Sequence, residues 1–185
     1  MGRTMTPVEY ARDALGIDPD DYIEVTSYES IPYYAKGEVD VPDNWWDYSG
    51  FYNLPLDAWM RTLNRALDQG YSVAIDTDWG DMGAGWNDAG IAVIHPDMTS
   101  PMFINQDTRE SDFVEQRTTD DHLVHAIDHR VVDGRDWYLI KNSHGTSSGR
   151  RGYVWMRDDW VAMRVLFFTL HKDALDPDLL ERFGG

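Results

Sequence analysis

Apolar positions recur at helical spacing twice in the first part of the chain. Val8, Ala11, Ala14 and Leu15 form one stripe. Ahead of it Thr6, Pro7 and Glu9 supply a cap, a first-turn proline and the acid that closes a capping box, and Gly16 stops the helix. A longer helix is predicted over residues 55–69, where Leu56, Trp59, Met60, Leu63, Ala66 and Leu67 repeat at offsets of three and four and Gly70 terminates. Elsewhere strand patterns take over. Residues 22–26, 71–76, 90–94, 123–132, 137–141, 152–156 and 164–171 read as strands, with Asp133-Gly134-Arg135 as a hairpin turn. Residues 28–53 form a long irregular stretch whose aromatics, Tyr33, Tyr34, Trp45, Trp46, Tyr48, Phe51 and Tyr52, are expected to pin it to the body. Residues 77–90 read as a Gly- and Asp-rich loop, and 95–120 as connection with a turn of helix near 109–116. Helices first and hairpin-linked strands after give an α+β class without βαβ alternation, a small curved antiparallel sheet or open barrel. No internal repeat or shift of composition marks a boundary, so one domain over residues 1–185 is expected.

Charge narrows the partners. Sixteen Lys and Arg stand against 33 Asp and Glu, a formal net charge of −17. Phosphate backbones and anionic membranes repel such a chain, which argues against nucleic acid and membrane partners. With 42% hydrophobic and 13% aromatic residues the chain can still build a core. Cysteine is absent, which removes disulfides, thiolate metal sites and thiol nucleophiles from these 185 residues. No apolar run approaches the ~20 residues of a membrane span, and residues 1–7 carry no secretory pattern, so the expected location is the cytoplasm.

Two clusters could carry chemistry. His122, His125 and His129 would share one face of a helix and could hold a metal. On a strand, His125 and His129 share a face and His122 points the other way. Arg130-Val131-Val132 and the Asp-Gly turn favour the strand, so no metal site is expected. The acidic run from Asp76 to Asp81 lacks the terminal glutamate and spacing of a calcium loop and is expected to be solvated. No cofactor is called for. The second cluster is an apolar strand that ends in Asn142-Ser143-His144-Gly145. It delivers an amide to the end of a sheet, the kind of group that fixes the tautomer of a general-base histidine. An asparagine in a turn before glycine is the plain alternative.

Asp121-His122, a following strand, then Lys141-Asn142-Ser143-x-Gly145 and Gly152-Tyr153 resemble the His and Asn half of papain-like cysteine peptidases. The segments 118–123, 17–22, 52–57, 66–74 and 171–174 are similar to the bleomycin hydrolase and bacterial aminopeptidase C branch, so the resemblance covers about residues 6–183. It implies the β-rich C-terminal lobe of that fold, with His122 as general base and Asn142 as its orienting partner. Nothing in the chain matches the family's Cys or oxyanion Gln, and Ser143 matches a structural serine. His144 stands where the family has Trp, which predicts an Asn142 less shielded from water, and Asp128 replaces a small residue. Three readings follow. The chain is the His/Asn lobe of a cysteine aminopeptidase, inactive alone; or a pseudopeptidase that binds peptides or a protein; or a His-based metal protein. The first two predict that the face around His122, Asn142 and His144 binds a Cys-bearing helical lobe or a second copy of the chain in a homo-oligomer.

Overall fold

The computed structural model describes residues 4–80, 90–95 and 100–183. Asp81 of the acidic run, most of the loop predicted over 77–90, and the first three residues lie outside the described residues. The first helix is α1, Pro7–Glu9, prolonged by a π-helical turn over Tyr10–Ala14. Its predicted capping box is formed: Glu9 N–H donates to Thr6 Oγ1 at 3.2 Å, and Thr6 N–H donates to Glu9 Oε2 at 2.8 Å. The stripe it was expected to bury stays out of the core, since Val8 and Leu15 are exposed.

A nine-stranded mixed sheet carries the architecture. Its strands are β1 (Tyr22–Thr26), β2 (Lys36–Gly37), β3 (Phe51–Asn53), β4 (Val73–Thr77), β5 (Ile91–Ala92), β6 (His122–Val132), β7 (Arg135–Lys141), β8 (Tyr153–Arg157) and β9 (Val165–His171), in the spatial order β2-β3-β1-β9-β4-β6-β7-β8-β5. The middle is antiparallel as expected, but β1 pairs with β3 and β5 with β8 in parallel. Parallel pairing needs a crossover, and those strands are too short for the sequence to reveal one. At the tip of the β6–β7 hairpin Asp133 and Gly134 both have positive φ, 52° and 75°, as a type I′ turn requires.

Helix α2 (Leu56–Asp68) lies on one face and buries Ala58, Trp59, Thr62, Leu63, Ala66 and Leu67; of the predicted stripe Leu56 and Met60 are only partly buried, and Ala58 and Thr62 join it. Helix α4 (Asp158–Arg164) was not expected. Asp159 through Arg164 are all buried, and a short helix enclosed all round shows no amphipathic stripe to read. The 28–53 segment builds a second small core from Tyr28, Ile31, Val39, Val41, Phe51 and Leu166. Buried Asn53 organises it, accepting from Tyr28 N–H at 2.9 Å and donating to the carbonyls of Tyr28 and Ile31 at 2.8 and 2.7 Å. Of the aromatics expected to pin this segment, Phe51 is buried, whereas Trp45 and Trp46 remain 80% and 58% exposed and pack on each other.

Helix α3 (Gln106–Val114) lies in the stretch that reads as connection, and it contributes the fully buried Arg109. The guanidinium donates to three main-chain carbonyls: Nε to Ser27 at 2.8 Å, Nη1 to Ala162 at 2.8 Å and Nη2 to Leu166 at 2.9 Å. The rings of Tyr28 and Trp59 cover it, each with its centroid 4.7 Å from the guanidinium carbon. One side chain thus joins the end of β1, α4 and the start of β9.

Strand β6 carries the three clustered histidines and corrects their expected arrangement. Ala126 pairs with Ile140, but the next partners are Asp128 and Leu139, so Ile127 is a bulge. The extra residue inverts the alternation beyond it. His129 opposite Tyr138 therefore shares the core-side face with His122, and His125 has the other face. No shared metal site results, because His122 and His129 stand about 20 Å apart at ~3.3 Å per residue. Among the described residues no group of His, Asp and Glu side chains is placed to hold a metal ion. His129 instead bonds Asp68 through Nδ1 and Asp136 through Nε2, both at 2.9 Å, and stacks on Tyr138.

Two outcomes are expected. Arg109→Ala removes a buried donor from the carbonyls of Ser27, Ala162 and Leu166, of which Ser27 keeps Gln106 and Leu166 keeps the Thr26 hydroxyl as donors, and should cost about 3 kcal/mol, with Arg109→Lys recovering only part, read as a lower urea midpoint at unchanged slope. Burial disfavours the imidazolium of His129, but Asp68 and Asp136 outweigh it and raise its pKa above 6.5. The stabilisation from this ion pair should be complete below pH 6.5 and vanish as pH rises through the raised value. Urea midpoints across pH 5–9 should fall more steeply in the unaltered chain than in His129→Gln, which keeps only the loss from the buried carboxyl groups Asp76 and Asp120.

Candidate functional site

His122 opens β6 and pairs with Thr77 at the end of β4. Thr77 is itself tied down, its hydroxyl donating to Arg164 carbonyl at 2.9 Å. Asn142 leaves the end of β7, its N–H donating to Gly152 carbonyl at 2.9 Å. Gly152 is required there: φ is +90°, and a Cβ would sit 2.9 Å from the Gly145 carbonyl oxygen. Neighbouring strands ending side by side bring the two side chains together, with His122 Nε2 2.9 Å from Asn142 Oδ1.

The backbone decides the protons. Ser143 N–H can only donate, and it meets Asn142 Oδ1 at 2.7 Å, which identifies that atom as the oxygen. His122 Nε2 facing the same oxygen must then carry a hydrogen. Neutral His122 keeps its lone pair on Nδ1, the atom free to accept a proton. Asn142 Nδ2 donates to His144 Nδ1 at 3.1 Å. Ser143, no nucleophile in the sequence reading, here serves the network with its main chain.

Aromatic rings enclose the pair. His144 stacks on His122 with centroids 5.2 Å apart and planes 12° apart, and Trp79 meets His122 edge-on at 5.1 Å. Asn142 is only 6% exposed, so the expectation that it is less shielded from water is corrected, and its amide bonds to the His144 imidazole. Asp121 holds Trp79 in place by accepting from the N–H groups of Trp79 and Gly80 at 2.7 and 2.8 Å. The sequence marked Asp121 but not Trp79, whose only signal is its place in the Asp-Trp-Gly run after β4.

Behind this pair lies a cavity of about 840 Å³ between the 28–53 segment and the outer face of β1, β9, β4 and β6. His122 stands at one edge and Trp46 at another. Asp76 and Asp120 line its floor, and burial pushes both carboxyl groups upward. Asp76 at 3% and Asp78 at 4% exposure overturn the expectation that this acidic run is solvated. Asp78 accepts from Thr119 N–H at 3.0 Å. Among the described residues no helix is long and apolar enough to cross a membrane.

The geometry provides a base held in one tautomer, set at the edge of a cleft. Aminopeptidase G of Lactobacillus delbrueckii subsp. lactis is 24% identical over 184 residues, which are 97% of this chain and 42% of that protein. The crystal structure of PepW from Lactobacillus rhamnosis HN001 has the same fold, with a TM-score of 0.75 at 20% identity over 98% of this chain and 42% of that one. The chain thus spans about two fifths of each relative's length. The Peptidase C1-like family model matches residues 1–184, and the chain belongs to that family.

Proposed function

We propose that this chain supplies the histidine–asparagine half of a papain-like cysteine aminopeptidase and works with a Cys-bearing helical lobe outside these 185 residues. The observation that carries this reading is the 2.9 Å contact from His122 Nε2 to Asn142 Oδ1, which leaves Nδ1 unprotonated at the cleft edge. A thiol brought within hydrogen-bond reach of Nδ1 transfers its proton there, and the imidazolium stabilises the thiolate that attacks a peptide carbonyl. The proton then passes from Nδ1 to the leaving amine. Throughout, the Nε2 hydrogen stays on Asn142, so the ring does not turn. The chain has no cysteine to perform the attack, and a cooperative set without its nucleophile loses nearly all specific catalysis.

The same absence of cysteine favours one further reading, a non-catalytic module that binds peptides or a partner protein through this face. Supplying the missing lobe separates the two. The chain alone should neither hydrolyse aminoacyl amide reporters nor react with thiol-directed inhibitors; hydrolysis by the chain alone that is lost in His122→Ala would overturn the proposal. Co-expressed with a helical lobe carrying the Gln and Cys-Trp segments, it should gain hydrolysis. His122→Ala should then lower the rate by about 10²–10⁴-fold. Asn142→Ala should lower kcat by about tenfold or more with little change in KM and should displace the acidic limb of the pH profile, since it frees the ring that Nε2 anchors. Tight peptide binding without hydrolysis in the presence of the lobe would support the binding module instead.

A further inference from the structure

Asp76 sits in an unfavourable place for a carboxylate. On the outer face of β4 it is flanked across the sheet by Leu123 of β6 and Phe167 of β9, and it is 3% exposed. Its Oδ2, and Oδ2 of Asp120 beside it, are buried without a hydrogen-bond partner among the described residues. Two ionised carboxylates have no hydrogen to share, so something positive must stand between them: a proton, or a cation that enters the cavity. Both carboxyl groups are pushed upward, Asp76 by burial and then by Asp120, Asp120 by burial and then by Asp43, which is the case where it is a proton.

The cavity is shaped to admit the alternative. It holds about 840 Å³, opens beside His122, and brings the acids at its floor together with apolar and aromatic walls from Val41, Trp46, Phe51, Leu123 and Phe167. Such walls suit an aliphatic stem with a charged end, and aromatic faces attract an ammonium further. A metal ion fits less well, because no group of described carboxylates and imidazoles converges with the spacing a metal needs. The whole chain, at −17, adds a field that draws cations in.

We propose that this cavity is a subsite for an organic cation of a peptide, an ammonium or guanidinium group seated against Asp76 and Asp120, with Asp43 at the rim. Calling it a substrate subsite rests on the peptidase reading, through its position beside His122. The binding itself does not, since it requires neither a nucleophile nor a second lobe. Placing a cation on the floor displaces the shared proton to solvent, so binding should strengthen as pH rises. A carboxylate kept between Leu and Phe is a cost to folding that this use explains.

Binding to the 185-residue chain tests this by NMR, following the His122 imidazole and Trp46 indole signals. N-acetyl-lysine amide carries only the side-chain ammonium, norleucine amide only the α-ammonium, and N-acetyl-norleucine amide neither. At least one cationic probe should bind saturably and about tenfold or more tighter than the uncharged one, tighter at pH 8 than at pH 6. Which probe wins tells whether the pocket takes a basic side chain or a free amino terminus. Asp76→Asn, which keeps the shape and removes the charge, should erase the preference, and Asp120→Asn should weaken it. Equal binding of charged and uncharged probes, no saturable binding of either cation, a preference unchanged in a folded Asp76→Asn chain, or the same signal changes from calcium chloride alone would overturn the proposal. Those outcomes leave the hydrolysis test with the helical lobe unaffected, and failure of that test leaves cation binding standing.

Discussion

Arg109 is the constraint on which the rest of this structure depends. A guanidinium removed from water must find acceptors for its N–H groups, and here the acceptors are main-chain carbonyls of three separate segments. Ser27 directly follows β1, Ala162 lies near the end of α4, and Leu166 is the second residue of β9, the strand between β1 and β4. Satisfying one side chain therefore sets where three segments meet. The arrangement continues through neighbours: Arg164 Nη1 donates to Asp112 Oδ2 at 2.9 Å and to Thr118 Oγ1 at 3.0 Å, which fixes the chain just ahead of Thr119, Asp120, Asp121 and His122. The position of the candidate base is thus tied to this buried polar network, which also reaches Thr77, the residue paired with His122.

At the site itself, a single main-chain hydrogen determines the chemistry available. Ser143 N–H makes one end of the Asn142 amide the acceptor, and every proton in the group follows from that, up to the lone pair on His122 Nδ1. His144 stacks on the His122 ring and Trp79 meets its edge, while the amide itself is buried and donates to His144. Electrostatics on the other side of His122 work in the opposite sense. Burial of Asp76 and Asp120 makes the folded state hold protons that the unfolded chain releases, so this cluster weakens folding as pH rises from the ordinary carboxylate range, near ~4, toward neutrality. A rigid base beside a strained acidic floor is the combination that the proposed peptidase and cation readings share.

The sequence by itself determined what depends on near neighbours. The stripe from Leu56 to Leu67 between Pro55 and Gly70 identified α2, because a helix buried on one face writes its period into the chain. Asp133-Gly134-Arg135 marked a hairpin turn, since few residues accept the positive φ that Asp133 and Gly134 adopt. The Asn-Ser-x-Gly segment after an apolar strand, with Asp121-His122 before another, pointed to the two side chains that the fold sets 2.9 Å apart. Only the tertiary structure decided the rest. The bulge at Ile127, which moves His129 to the face of His122, arises from pairing with β7 and leaves no mark on alternation within β6. Helix α4 is enclosed on all sides and has no face to reveal it. Asp76 reads as the solvated end of a strand until Leu123 and Phe167 are laid beside it. Burial on two sides, register and the sharing of a proton are properties of groups that meet across the sheet, and a local pattern cannot encode which distant residue will stand opposite.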